Sequence, residues 1–237
     1  MQLALRPKAR RNTLFLAGTV VAALYLVPYG RLVLLPTIYL NTHLHELCHA
    51  IAALATGGRP GEILVRADGS GQCTTLGGAS IVIASAGYLG ASLLGAAVVL
   101  LARTESGARL ALHGMAAALA GSMVLLVRGD AIGLLTGTFW IGLLWVLAKR
   151  LREDALLGVA QFLGLVQGLQ SLTSLGDLLQ ISATAQANSD AQSMAALTGV
   201  PAMAWALLWA LLSLGITGWA LVRATRSRPA SHPGGSP

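Results

Sequence analysis

The chain is poor in charge and in acid. Only 11% of its 237 residues are charged and nine are acidic, against 55% hydrophobic residues and 28 glycines. A soluble domain carries about a quarter charged residues, so this composition excludes an ordinary soluble globule and points to a membrane protein. Two cysteines, Cys48 and Cys73, are too few for a disulfide framework. No internal repeat is visible, and no polar stretch is long enough to carry a soluble core of its own. The net charge of +7 does not mark a nucleic-acid binder, because the basic residues form no aromatic-laced face that could read bases.

Those basic residues instead punctuate apolar runs. Runs near the roughly 20 residues needed to cross a bilayer lie at about 14–29, 32–55, 80–102, 110–127, 131–148, 155–179 and 202–222. The fold class expected is therefore an all-α polytopic membrane protein with six to seven transmembrane helices. Arg6, Lys8, Arg10 and Arg11 precede the first run, Lys149, Arg150 and Arg152 follow the fifth, and Arg223, Arg226 and Arg228 follow the last, as cytoplasmic anchors do. Placing all three clusters on one side needs an even number of crossings between them, which makes one run a re-entrant segment, expected near Arg128-Gly129-Asp130. The basic start reads as an uncleaved signal anchor, since no small-residue cleavage site follows it. Residues 1–12 are expected to be a cytoplasmic N-terminus, 13–224 one membrane domain with a loop over 180–200, and 225–237 a disordered tail. An Ala/Leu/Gly/Arg bias suits a bacterial plasma membrane.

Within the second run stands NTHLHELCHAIAALATGG, residues 41–58, with three of the five histidines and a glutamate. Gly57, Gly58 and Pro60 stop the helix after it. At about 100° per residue, His45 and His49 share one face a turn apart and Glu46 projects beside them. This is the H-E-x-x-H arrangement, in which two imidazoles reach one zinc ion while the carboxylate stays free to act on a metal-bound water as the catalytic base. His43 is out of phase with that face. Ionisable groups in a spanning helix are costly and count as functional by default. The bland alternative, polar residues satisfied by neighbouring helices, suits the lone His113, and His232 lies in the tail. His49 sits about six residues, or roughly 9 Å, before the helix end, close enough to one surface for water to reach it.

A catalytic zinc takes three protein ligands and keeps a fourth position open. Glu62 and Asp68 follow the zinc helix, while Glu105, Asp130, Glu153 and Asp154 stand beside basic residues at span ends. Asp177, in SLTSLGDLLQIS, is a bare carboxylate in an apolar helix and needs a cation partner, so it is placed first as third ligand. Asp190, in ANSDAQSMAALTGVP, is the alternative, with helix N-capping as its ordinary explanation. Between helices, residues 61–78 carry β-favouring residues on both sides of Asp68-Gly69-Ser70-Gly71, a hairpin turn signal. Such a strand either connects or takes up an extended substrate as a further strand. Gly87, Gly90, Ala91 and Gly95 put small residues at helical spacing, suited to close helix packing.

HELCHA at 45–50, SAGYLGASLLGA at 85–96, GD at 176–177 and SDAQSMAALTGVP at 189–201 together resemble the site-2 protease clan of intramembrane zinc metallopeptidases, in its M50B-like branch. The resemblance implies His45 and His49 as zinc ligands, Glu46 as general base, a downstream aspartate completing the site, and membrane-associated or transmembrane peptide substrates. Where the better-studied branch carries Leu-Asp-Gly, this chain reads Leu175-Gly176-Asp177. A divalent-metal transporter and a non-catalytic membrane scaffold are the competing classes; few further carboxylates are available to pass an ion on, and a purely structural metal would not need Glu46.

Overall fold

The computed structural model describes residues 7–27, 29–128, 131–169 and 189–226. Among the described residues eight helices and one hairpin run in the order α1 (Pro7–Leu26), α2 (Gly30–Ala55), β1 (Arg59–Val65), β2 (Gly71–Leu76), α3 (Ser80–Leu101), α4 (Glu105–Leu125), α5 (Ala131–Arg150), α6 (Glu153–Gly168), α7 (Asp190–Thr198) and α8 (Ala202–Thr225).

Four of these, α3, α4, α5 and α8, are long and apolar enough to cross a membrane. The count of six to seven spans expected from the sequence is thus not confirmed among the described residues, and the physical reasons differ by helix. α2 is 26 residues long, but Asn41, Thr42, His43, His45, Glu46 and His49 dilute its hydropathy. All six are buried, so the helix turns its polar side inward, where polar groups within a membrane find partners. α6 has 16 residues before the described segment ends, and the apolar part of α1 spans only Asn12–Val21. Large apolar side chains on the outside of the bundle, such as Leu135, Phe139 and Leu211, suit an integral membrane protein in contact with hydrocarbon.

α3 is the central helix and packs against α2, α6 and α8. Its approach to α6 is set by small residues: a Cβ on Gly164 would lie 2.9 Å from the Gly95 carbonyl oxygen, so larger side chains would force the two backbones apart. The main core gathers Leu40 and Leu44 of α2 with Leu112, Met115 and Leu119 of α4, Leu144 of α5 and Leu156 and Leu157 of α6.

Gly129 and Asp130, where a re-entrant segment is expected, lie outside the described residues, between the long apolar helices α4 and α5. The hairpin lies between α2 and α3. β1 and β2 pair antiparallel, with Val65 opposite Gly71 and Ile63 opposite Cys73. Its turn has the Asp-Gly-Ser chemistry read from the sequence: the Asp68 carboxylate accepts from the Ser70 amide at 2.9 Å, which holds that carboxyl below its ordinary range. From the end of α2 the hairpin folds back along the helix. The Tyr39 hydroxyl donates to the Ala67 carbonyl at 2.7 Å and the Thr42 hydroxyl to that of Gly69 at 2.6 Å. Of the loop expected over 180–200, residues 190–198 form α7. Residues 180–188 and most of the tail lie outside the described residues.

Candidate metal centre

The two imidazoles of the H-E-x-x-H stretch converge as the helical spacing requires. His45 and His49 stand one turn apart on α2 with ring centroids 4.7 Å apart. Both Nε2 atoms address a single oxygen: Asp190 Oδ2 lies 3.1 Å from His45 Nε2 and 3.3 Å from His49 Nε2. One candidate ligand atom from each of His45, His49 and Asp190 lies within 4.8 Å of the others. Both histidines are buried, while the Asp190 side chain keeps 27% of its surface accessible, which leaves the cluster a face open to water.

Asp190 is free for this position because its neighbour does the capping. Ser189 is the N-cap of α7 and its hydroxyl accepts from the Gln192 amide at 3.2 Å. The carboxylate one residue later projects from the first turn, where the helix dipole favours negative charge. Asp177, placed first from the sequence, lies outside the described residues, and so does His232. His113 is exposed on α4. Glu105 pairs with Arg109 at 2.6 Å, and Glu153 and Asp154 sit in the first turn of α6. Glu62 and Asp68 belong to the hairpin.

Each imidazole is oriented by α3. The Nδ1 of His49 lies 2.6 Å from the Ile83 carbonyl oxygen; a carbonyl only accepts, so Nδ1 carries a proton and Nε2 is the ring nitrogen left to face Asp190. This ligand–carbonyl pairing is the usual outer-shell support of a metal-bound histidine. His45 is held by packing, with the Tyr88 ring edge to face at 4.6 Å. Gly87 lies directly against both rings. A Cβ there would collide with His45 Nε2 and sit 2.6 Å from His49 Nε2, so the cradle above the imidazoles exists only because this residue has no side chain. The sequence signal was present in SAGYLGASLLGA, but its glycines read as helix packing. Gly95 serves packing and Gly87 serves the site.

Glu46 is buried, and Gly71 of β2 lies against its side chain. Burial first, and then the carboxylates of Glu46 and Asp190, push the Cys73 thiol up to about 12. At neutral pH it is a thiol, not a thiolate ligand.

The family model described as Peptidase M50B-like matches residues 16–220. The chain belongs to this family. The match spans every element from within α1 to within α8, so the M50B-like region takes in the His45, His49 and Asp190 cluster, the hairpin and α3 together. Membership gives a family-level reading of a membrane metallopeptidase. Comparison with curated proteins and with solved structures returned no match.

Proposed function

We propose that the protein is an intramembrane zinc metalloprotease that hydrolyses peptide bonds of membrane-associated or transmembrane substrates, with His45, His49 and Asp190 as metal ligands and Glu46 as general base. The observation that carries the reading is the meeting of both Nε2 atoms on one Asp190 oxygen. With His49 Nδ1 donating to Ile83, its Nε2 is the ring atom turned to the carboxylate oxygen. Imidazole nitrogens and a carboxylate oxygen brought together in a buried site share a cation, either a proton or a metal ion in its place. Two imidazoles and one carboxylate are the donor set of a catalytic zinc site that leaves a fourth position open.

When bound, zinc supplies Lewis-acid polarisation of a carbonyl and lowers the pKa of a water in its open position to about 7. The chain's own groups do the rest. Glu46, next to His45 and on the same turn of α2, takes a proton from the attacking water and returns it to the leaving amine. Gly87 keeps the space above the imidazoles clear. β1 is covered along its outer side, where the Ile63 amide donates to the Leu126 carbonyl at 2.9 Å. β2 is the strand beside Glu46, and an extended substrate segment adding to it would bring its peptide bonds next to the base. Among the described residues this is the one group of three His, Cys, Asp or Glu with converging ligand atoms, which favours hydrolysis at one site over passage of an ion along several.

The deciding experiment is zinc analysis of purified protein together with cleavage of a transmembrane reporter. Wild type is expected to hold one zinc per chain and to cleave, and Glu46→Gln to keep the zinc and lose cleavage. A metal-free wild type, or full cleavage by Glu46→Gln, overturns the proposal.

A further inference from the structure

A glutamate side chain has three torsions to fix before its carboxylate works at one point in space, and on α2 the surrounding helices do not fix them alone. The strand β2 lies against Glu46. A Cβ on Gly71 would stand 2.5 Å from Glu46 Oε1 and 2.8 Å from its Cγ. We infer that β2 positions the general base: the bare Cα of Gly71, packed against the Glu46 side chain, holds its carboxylate in the working rotamer. The inference rests on the role proposed above for Glu46 and gives the hairpin a part in the chemistry besides any in substrate pairing.

The strand is fastened firmly enough for the task. Ile63 and Val65 of β1 are wholly buried with Ala50 and Val127, the Ile63 amide is tied to Leu126, and the turn is hooked onto α2 through Tyr39 and Thr42. Thr42 stands one turn before Glu46, so the residue that pins the turn and the residue the strand orients share one helical face. Gly71 is not among the residues with positive φ. An alanine there is allowed by the backbone and barred by Glu46 and by Thr42, whose Cγ2 would lie 2.5 Å from the new Cβ. Gly71 is a positioning residue, since the side chains it stands against are those of Glu46 and Thr42.

The test compares Gly71→Ala with wild type in the full-length protein, reading zinc affinity, KM and kcat on the transmembrane reporter. The expected result is wild-type zinc affinity, KM within about twofold and kcat lower by at least about tenfold, the signature of an interaction felt only in the chemical step. Glu46→Asp, which retracts the carboxylate by one methylene, should cost Gly71→Ala protein less than it costs wild type, because the shortened side chain clears the added Cβ. An unchanged kcat, a raised KM with unchanged kcat, or loss of zinc overturns the inference. Should Gly71→Ala not fold, the near-isosteric Thr42→Val, which unhooks the Gly69 carbonyl, decides in its place: lower kcat at wild-type zinc affinity and KM supports it, and wild-type kcat overturns it. Failure of the broader reading looks different, since it shows in wild type as missing zinc or in Glu46→Gln as retained cleavage.

Discussion

The Tyr88 ring meets the His45 ring edge to face with centroids 4.6 Å apart, and its other face stacks on Trp209 at 5.0 Å. Trp209 is fixed in turn by donation to the Ser85 hydroxyl at 3.2 Å. The same cluster includes Ala191 and Met194 of α7, so one aromatic stack supports His45 and seats the helix that carries Asp190. Tyr88→Phe keeps both ring contacts and should hold zinc as wild type does. Tyr88→Ala removes the ring and should weaken zinc binding by about 10–100-fold, the usual cost of losing outer-shell support. Competition with a chelator of known affinity measures it, and equal affinities would show that the stack is only packing.

Gly87→Ala should abolish metal binding while leaving the helix itself stronger. Alanine is the better helix former by about 1 kcal/mol, but its Cβ would occupy the space into which both imidazoles point. Gly114→Ala on α4, where nothing lies within 4 Å, is the control and should raise stability without touching zinc. Metal content and thermal unfolding of the two variants separate the effects.

Asp190 and Ser189 should also come apart. Asp190→Ala removes the carboxylate that meets both Nε2 atoms and should lose most of the zinc. Ser189→Ala removes the N-cap of α7, costs about 1 kcal/mol of stability, and should retain the metal. Asp177→Ala, measured beside them, should retain it as well. If Asp177→Ala empties the site and Asp190→Ala does not, the ligand set proposed here is wrong.

These residues also show where the sequence was readable. His45, Glu46 and His49 form a local pattern: three positions of one helix fix their relation through the 3.6-residue turn alone. The hairpin is local too, since Asp68-Gly69 and its neighbours specify the turn. The proposed third ligand is not local. Asp190 lies 145 positions from His45, and an aspartate after Asn-Ser at a helix start reads as a cap until the structure shows Ser189 holding that position. Gly87 was equally opaque, because a glycine kept small for a ligand and one kept small for a neighbouring helix leave the same mark. The spans of α2 and α6 are not confirmed by length and hydropathy among the described residues, because buried polar residues dilute α2 and the run expected over 155–179 continues past the described part of α6.

His43 gives the sharpest contrast within the same helix. It is fully buried and only two residues from His45, yet its Nε2 lies 3.0 Å from the Thr136 hydroxyl of α5. Thr136 has one hydroxyl proton, and the Ile132 carbonyl takes it at 2.7 Å. His43 must then be the donor and Thr136 the acceptor, a bond that ties α2 to α5 on the side away from the metal ligands. Thr136→Val is near-isosteric and leaves a buried N–H without that acceptor, at a cost of about 1–3 kcal/mol. The expected outcome is a lower unfolding temperature with one zinc per chain retained, whereas His45→Ala should lose the zinc. Loss of zinc from Thr136→Val would mean that the α2–α5 tie sets the rotation of the ligand face, and the separation of the two histidine roles would fail.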